Sequence, residues 1–171
     1  MTTYKANFLS NHYEQLQQED KELVIMAGLP ASGKSTIRAK MFNDYHVIDC
    51  DEIKKGLEGY DPKNPEATHA QSKVLEKQAI YNALAEGKTF LYDTTATNSD
   101  KVVKLTRQAQ ELGYTVTLCY VKVSLATSLK RNAMRERSVN EAIILEKYSL
   151  INQSIEIEKQ FVNCFVEIEN D

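Results

Sequence analysis

The residues Gly28-Leu29-Pro30-Ala31-Ser32-Gly33-Lys34-Ser35-Thr36 satisfy the spacing G-x-x-x-x-G-K-[ST], with the apolar run Leu23–Ala27 before them. Each residue type has a physical task. Gly28 and Gly33 reach backbone angles that other residues avoid, so the loop between them can curl with its N–H groups turned inward. A helix starting near Lys34 would add the positive end of its dipole to that anion site. Lys34 can reach the β- and γ-phosphates, and the Ser35 hydroxyl can ligate the Mg²⁺ that accompanies them. The spacing thus predicts a nucleoside triphosphate site lined by Gly28, Pro30, Ala31, Ser32, Gly33, Lys34, Ser35 and Thr36, with ATP and Mg²⁺ as the expected ligands.

Three other groups could add catalysis to binding, two on an acceptor side and one in a lid. Asp51 follows the short run Val47-Ile48-Asp49, at the expected start of a helix. A carboxylate there serves as a helix N-cap, as a base that takes the proton of an attacking hydroxyl, or as both. Lys54 shares the helical face of Asp51 and could hold an acceptor phosphate; Asp49, at the strand end, ranks below Asp51. Asp93-Thr94-Thr95 closes another apolar run. Turn bonds from side chain to backbone are the ordinary reading of such residues, and a place near the acceptor or the Mg²⁺ shell is the functional one. Arg131, Arg135 and Arg137 form the third group, and the spacing of Arg131 and Arg135 predicts one helical face. Phosphoryl transfer leaves little covalent work to a protein, so cations that neutralise the moving phosphate charge supply much of the catalysis. A basic lid over about 125–139 would do this; a solvated charged helix is the plain alternative.

These segments need a frame. Strands are expected near 22–27, 47–49, 89–92, 114–123 and 161–168, alternating with helices near 34–43, from 51 or 52, and near 67–86, 100–113, 125–136 and 140–158. Gly87 and Gly113 sit where helices should stop, and 59–65 reads as a loop. Alternation of this kind predicts an α/β domain over 22–171, with a parallel sheet of about five strands flanked by helices. Ligands of such sheets lie beyond the carboxyl ends of the strands, where Gly28–Thr36, Asp49–Lys54 and Asp93–Asn98 would converge. Residues 1–21 read as a helical extension, with Phe8, Leu9, His12, Tyr13 and Leu16 on one face over 4–19.

Composition narrows the setting. A formal net charge of −3 argues against a broadly basic coat for nucleic acid but leaves room for a local basic patch. No apolar run has the length of a membrane span, and no signal-peptide core is expected at the start. Cys50, Cys119 and Cys164 lack metal-ligand spacing, which suits a reduced, cytoplasmic setting, and Cys119 reads as a small core residue. His12, His46 and His69 are isolated and read as structural or surface residues.

Four segments together, 28–36, 47–54, 92–98 and 130–139, resemble the P-loop polynucleotide 5′-hydroxyl kinase family, with the zeta-toxin kinases as relatives; the likeness runs from about Leu23 to Ser154. The resemblance implies that Asp51 is the general base, that Lys54 meets an acceptor phosphate, that Asp93 and the adjoining Thr94 lie near the acceptor, and that Arg135 and Arg131 are lid arginines. Lys54 stands where these kinases often carry Arg, and an ammonium lacks the planar bidentate contact of a guanidinium. Asn140 stands where Pro often follows Val. Asp93-Thr94-Thr95, in place of a Glu-Gly-Thr segment, favours the polynucleotide branch over the zeta-toxin branch.

The expectation is an ATP- and Mg²⁺-dependent kinase that phosphorylates the 5′-hydroxyl of RNA or DNA, as in nucleic-acid repair, without a membrane partner. A small-molecule acceptor such as a nucleotide sugar or nucleoside is the alternative. An ATP-binding switch without transfer ranks third.

Overall fold

Leu23, Val24, Ile25, Met26 and Ala27 are all fully buried, as in a strand covered on both faces. They belong to β1 (Glu22–Ala27), the middle strand of a five-stranded sheet completed by β2 (His46–Asp49), β3 (Phe90–Asp93), β4 (Thr115–Lys122) and β5 (Cys164–Glu169). The strand order is β2-β3-β1-β4-β5 and every neighbouring pair is parallel. The computed structural model describes residues 21–61, 67–135 and 138–171. The expected helix over 4–19, with His12, therefore lies outside the described residues, as do Pro62, Pro65 and Arg137.

Among the described residues six helices connect or follow the strands: α1 (Lys34–Met41), α2 (Cys50–Lys55), α3 (His69–Ala85), α4 (Ser99–Glu111), α5 (Leu125–Ala133) and α6 (Glu141–Glu158). Alternate residues of each strand face opposite sides of the sheet, and the packing follows that period. Leu23, Ile25, Phe90, Tyr92 and Leu118 meet Ile80 of α3, Val102, Leu105 and Ala109 of α4, and Ile151 and Ile155 of α6. On the other face, Val24, Met26, Leu91 and Cys119 pack with Ile37 of α1, Phe42, Tyr45 and Ile168. Each such side chain contributes roughly 1.5–3 kcal/mol by leaving water, so this two-sided core holds the strand ends in fixed register. Burial also pushes the Cys119 thiol up to about 11, consistent with an inert core residue.

The chain leaves β1 through α1 toward β2 on one side and later crosses to β4 on the other. This topological switch opens a crevice at the carboxyl end of β1. Helices α3 and α4 end in closed turns: the Lys88 N–H donates to the Ala83 carbonyl (3.0 Å) and the Tyr114 N–H to the Ala109 carbonyl (3.0 Å).

Two boundaries differ from expectation. Pairing of β5 begins at Cys164 rather than Phe161, because Phe161 still donates to the Glu158 carbonyl at the end of α6 (3.0 Å). Helix α5 stops at Ala133 rather than near 136. The Asn132 side chain bonds the backbone of Val139 twice, donating to its carbonyl and accepting from its N–H at 2.8 Å each, and this draws the chain into a turn. Arg135 lies beyond the helix end, so Arg131 and Arg135 do not share the helical face that their spacing predicts.

Candidate active site

The loop that leaves β1 is shaped by contacts on its outer side. A Cβ on Gly28 would stand 2.7 Å from the Val121 carbonyl and 2.8 Å from Ser32 Oγ, so the close approach of β4 requires glycine. Gly33 caps α1 in the left-handed region at φ 92°, and its carbonyl accepts from the N–H groups of Thr36 and Ile37. Ala31 is also left-handed, at φ 59°, which costs a non-glycine residue roughly 1–2 kcal/mol. Two side chains hold this strained course. Ser128 Oγ donates to the Pro30 carbonyl (2.8 Å) and Asn170 Nδ2 donates to the Ser32 carbonyl (2.7 Å).

A trans peptide is planar, so fixing those carbonyls also fixes the N–H groups of Ala31 and Gly33. Among the described residues neither N–H has a hydrogen-bond acceptor, and the buried Ser32 hydroxyl has no partner. Ala31 and Ser32 are buried and Gly33 is half-buried, and donors shielded from water are costly to leave without acceptors. A phosphate group fits here as the acceptor they lack. Ser35 and Thr36 are exposed at the start of α1; the Thr36 N–H is taken by the Gly33 carbonyl, and the positive end of the helix dipole there favours an anion.

Lys34 folds back over this loop. Its Nζ donates to the carbonyls of Gly28 (2.9 Å) and Leu29 (3.2 Å) and lies 3.8 Å from Asp93 Oδ1. Asp93 ends β3, and burial pushes its carboxyl up to about 6; the Lys34 charge opposes this shift, nearby Asp49 adds to it, and Arg38 opposes it. Arg38, a residue with no sequence motif to mark it, joins the two carboxylates. Its Nη1 donates to Asp49 Oδ2 (2.9 Å) and Asp93 Oδ2 (3.0 Å). Its position four residues after Lys34, on the same helical face, is the signal that could have found it.

Asp49, not Asp51, is the N-cap of α2. It is the last extended residue before the helix (φ −134°, ψ 120°), and its Oδ1 accepts from the Asp51 N–H at 2.8 Å. The side-chain acceptor of a cap must come from the residue that has not yet turned helical. Asp51 instead lies in the first turn, with its side chain 55% exposed, and its Oδ1 is 3.5 Å from Lys54 Nζ. Lys54 is buried.

At the β3 edge, the Thr94 N–H donates to the Met26 carbonyl (3.0 Å), which ties this loop to the end of β1. The Thr94 hydroxyl accepts from the Ala96 N–H (3.3 Å), the ordinary turn bond. On the β4 side, Arg131 Nη1 donates to the Asn170 carbonyl (2.7 Å), so one residue links this arginine to the phosphate loop. Arg135 is exposed past α5. The fold therefore joins Lys34, Asp93, Asp49 and the α2 start that carries Asp51, and sets Arg131 beside the loop through Asn170. Among the described residues Arg135 forms no side-chain hydrogen bond or ion pair with that group. His46 and His69 are exposed.

No curated protein matches the chain at a significant level. Among solved structures, it resembles the PezAT chromosomal toxin–antitoxin system of Streptococcus pneumoniae, with 17% identity and a TM-score of 0.65 over 100% of this chain and 78% of that one. It also resembles the AvrRxo1-ORF1:AvrRxo1-ORF2 complex with sulphate ions, with 15% identity and a TM-score of 0.68 over 86% of this chain and 52% of that one. This chain thus spans about half of that chain, and the same complex has been solved with ATP. A candidate kinase from Chloroflexus aurantiacus shares 14% identity at a TM-score of 0.58, over 89% of this chain and 86% of that one. At these identities the likeness is one of fold, and that fold is the kinase-like P-loop α/β domain. Among the described residues no helix is long and apolar enough to cross a membrane. The phosphate loop after β1, the parallel sheet and the match of a family model over residues 23–154 agree: the chain belongs to the AAA domain family.

Proposed function

We propose that this protein is an ATP- and Mg²⁺-dependent phosphotransferase that moves the γ-phosphoryl group to a hydroxyl, and that its acceptor is the 5′-hydroxyl of a nucleic acid. The observation that carries the reading is the continuous set of ion pairs from Lys34 on the phosphate loop to the carboxyl ends of β3 and β2. A site for nucleotide binding alone needs the loop; it does not need an exposed carboxylate presented on the next helix.

In this reading the backbone N–H groups of Gly28, Ala31 and Gly33 and the hydroxyls of Ser32 and Thr36 hold the phosphates. Pro30 lines the loop without donating because it has no N–H, and Lys34 swings from its own loop to the β- and γ-phosphates. Mg²⁺ would be held by Ser35 together with the phosphates, in keeping with its preference for few protein ligands, and would neutralise phosphate charge. Asp51 accepts the proton of the acceptor hydroxyl, whose oxygen attacks the γ-phosphorus in line as the bond from that phosphorus to the β–γ bridging oxygen breaks and ADP leaves. Lys54 carries the acceptor-side charge, with Asp93 and Thr94 at the same edge. Arg131 and Arg135 close over the transferring group as cations of a lid spanning about 125–139.

Transfer of labelled γ-phosphate from ATP to a 5′-hydroxyl oligonucleotide, with Asp51→Asn as control, tests the reading. Labelling that the variant loses is expected. ATP binding without labelling would refute the nucleic-acid acceptor and point to a small molecule, whose use would depend little on salt.

A further inference from the structure

We infer that Arg38 is a positioning residue of this site: it holds Asp49 and Asp93 in one arrangement, and through Asp49 it sets the helix turn that presents Asp51. The inference rests on the reading of Asp51 as the acceptor-side base.

The geometry begins with strand register. Asp49 and Asp93 are direct partners across the parallel ends of β2 and β3, so their side chains leave the sheet on the same side. Both are largely shielded, with side-chain exposures of 18% and 10%. Two adjacent carboxylates in such a place repel each other unless cations stand between them. Arg38 meets that need with a single nitrogen, 2.9 Å from one carboxylate and 3.0 Å from the other. Lys34 covers the remaining oxygen of Asp93. The remaining oxygen of Asp49 accepts the Asp51 N–H. Each carboxylate thus has one oxygen on Arg38 and the other committed to a functional element, the phosphate loop in one case and the start of α2 in the other.

Lys34 and Arg38 belong to the same helix, α1. The element that carries the nucleotide lysine therefore also carries the clamp on the acceptor-side helix. A guanidinium can serve two carboxylates in a fixed geometry, whereas an ammonium is a single mobile point charge. A residue that merely packed α1 on the sheet would need neither contact.

The test uses the full chain with Arg38→Met and Arg38→Gln. It reads hydrogen exchange of the amides from Cys50 to Lys55, binding of a fluorescent ATP analogue, and transfer to a 5′-hydroxyl oligonucleotide. Loss of a charged hydrogen-bonded clamp should speed exchange of the Asp51 amide by about tenfold or more while β1 amides stay protected. Analogue affinity should stay near that of the wild type, and turnover should fall without a matching rise in KM for ATP. Wild-type exchange at Asp51 in either folded variant would overturn the inference, and so would a uniform rise across β1, β3 and α2. Should Arg38→Met not fold, Arg38→Gln alone decides by the same exchange readout. Absence of transfer by the wild-type protein would refute the proposed function, while the Asp51 amide would still report on the clamp.

Discussion

The ammonium of Lys34 lies 3.8 Å from Asp93 Oδ1 while it donates to the carbonyl of Gly28. The lysine of the phosphate loop is thus held at home by its own loop and by the end of β3. In the proposed function a phosphate must outcompete these partners, and the Lys34–Asp93 pair would then link nucleotide binding to the acceptor edge.

In the proposed function, Lys34→Ala removes the charge that would meet the β- and γ-phosphates. Transfer should fall on the order of a hundred- to a thousandfold or more, the cost of deleting a charge-stabilising donor. The fold should persist, since among the described residues the polar contacts of the Lys34 side chain are with Gly28, Leu29 and Asp93 at the site. The carboxyl of Asp93, already pushed up to about 6, should rise further once an opposing cation is lost. Labelled-phosphate transfer checks the first outcome, and a carboxyl titration by NMR checks the second.

Asp49 can be dissected by two substitutions. Asp49→Ala removes both the cap of α2 and one carboxylate of the Arg38 clamp, and should cost about 1–3 kcal/mol in urea unfolding. Asp49→Asn keeps an oxygen for the Asp51 N–H but loses the charge, so it should retain more of the α2 turn. Equal losses in the two variants would show that the cap adds nothing.

How much of this was legible in sequence depends on the range of each interaction. Gly28–Thr36 announced itself because its chemistry is local, and the shortness of the apolar run before it, stopped by Gly28, favours a buried strand. Asp49–Lys54 and Asp93–Asn98 converge on the site as the strand pattern predicts. The exchange of cap between Asp51 and Asp49 was invisible, because it depends on where the backbone stops being extended. Arg38 was missed for a stronger reason. Its partners are 11 and 55 residues away and meet only when β2 and β3 are in register. The burial of Lys54 and the early end of α5 at the Asn132–Val139 bonds are likewise products of packing rather than of periodicity.

Gly28→Ala should be more damaging than Gly33→Ala for the shape of the loop. The new methyl at 28 meets the backbone carbonyl of Val121, on a strand that cannot retreat, whereas at 33 it meets the flexible end of Asn170. Both positions have positive φ, so each variant carries backbone strain of about 1–3 kcal/mol. Nucleotide-analogue binding should vanish in Gly28→Ala and weaken less in Gly33→Ala. The reverse order would show that loop angles, and not the approach of β4, set the site.

Glu158 gives a pH prediction away from the site. It is fully buried on the inner side of α6, beside buried Ser154 and Ile155, and neither carboxyl oxygen has a hydrogen-bond partner among the described residues. Burial pushes its carboxyl up to about 8, from an ordinary value of 4.5. A raised carboxyl binds its proton more tightly folded than unfolded, so the folded state loses stability as pH rises from the unfolded value through the folded one. Below pH 4.5 the group is neutral in both states and no such penalty exists; above about 8 the penalty is complete. Glu158→Gln should flatten this dependence. Glu158→Leu should also remove the unsatisfied polar atoms, and should raise stability at pH 8 by about 1–3 kcal/mol or more with a smaller gain at pH 4. Urea unfolding of the three proteins across pH 4–9 checks it. A wild-type stability that rises over that window in step with Glu158→Gln would show that Glu158 is not held neutral in the core.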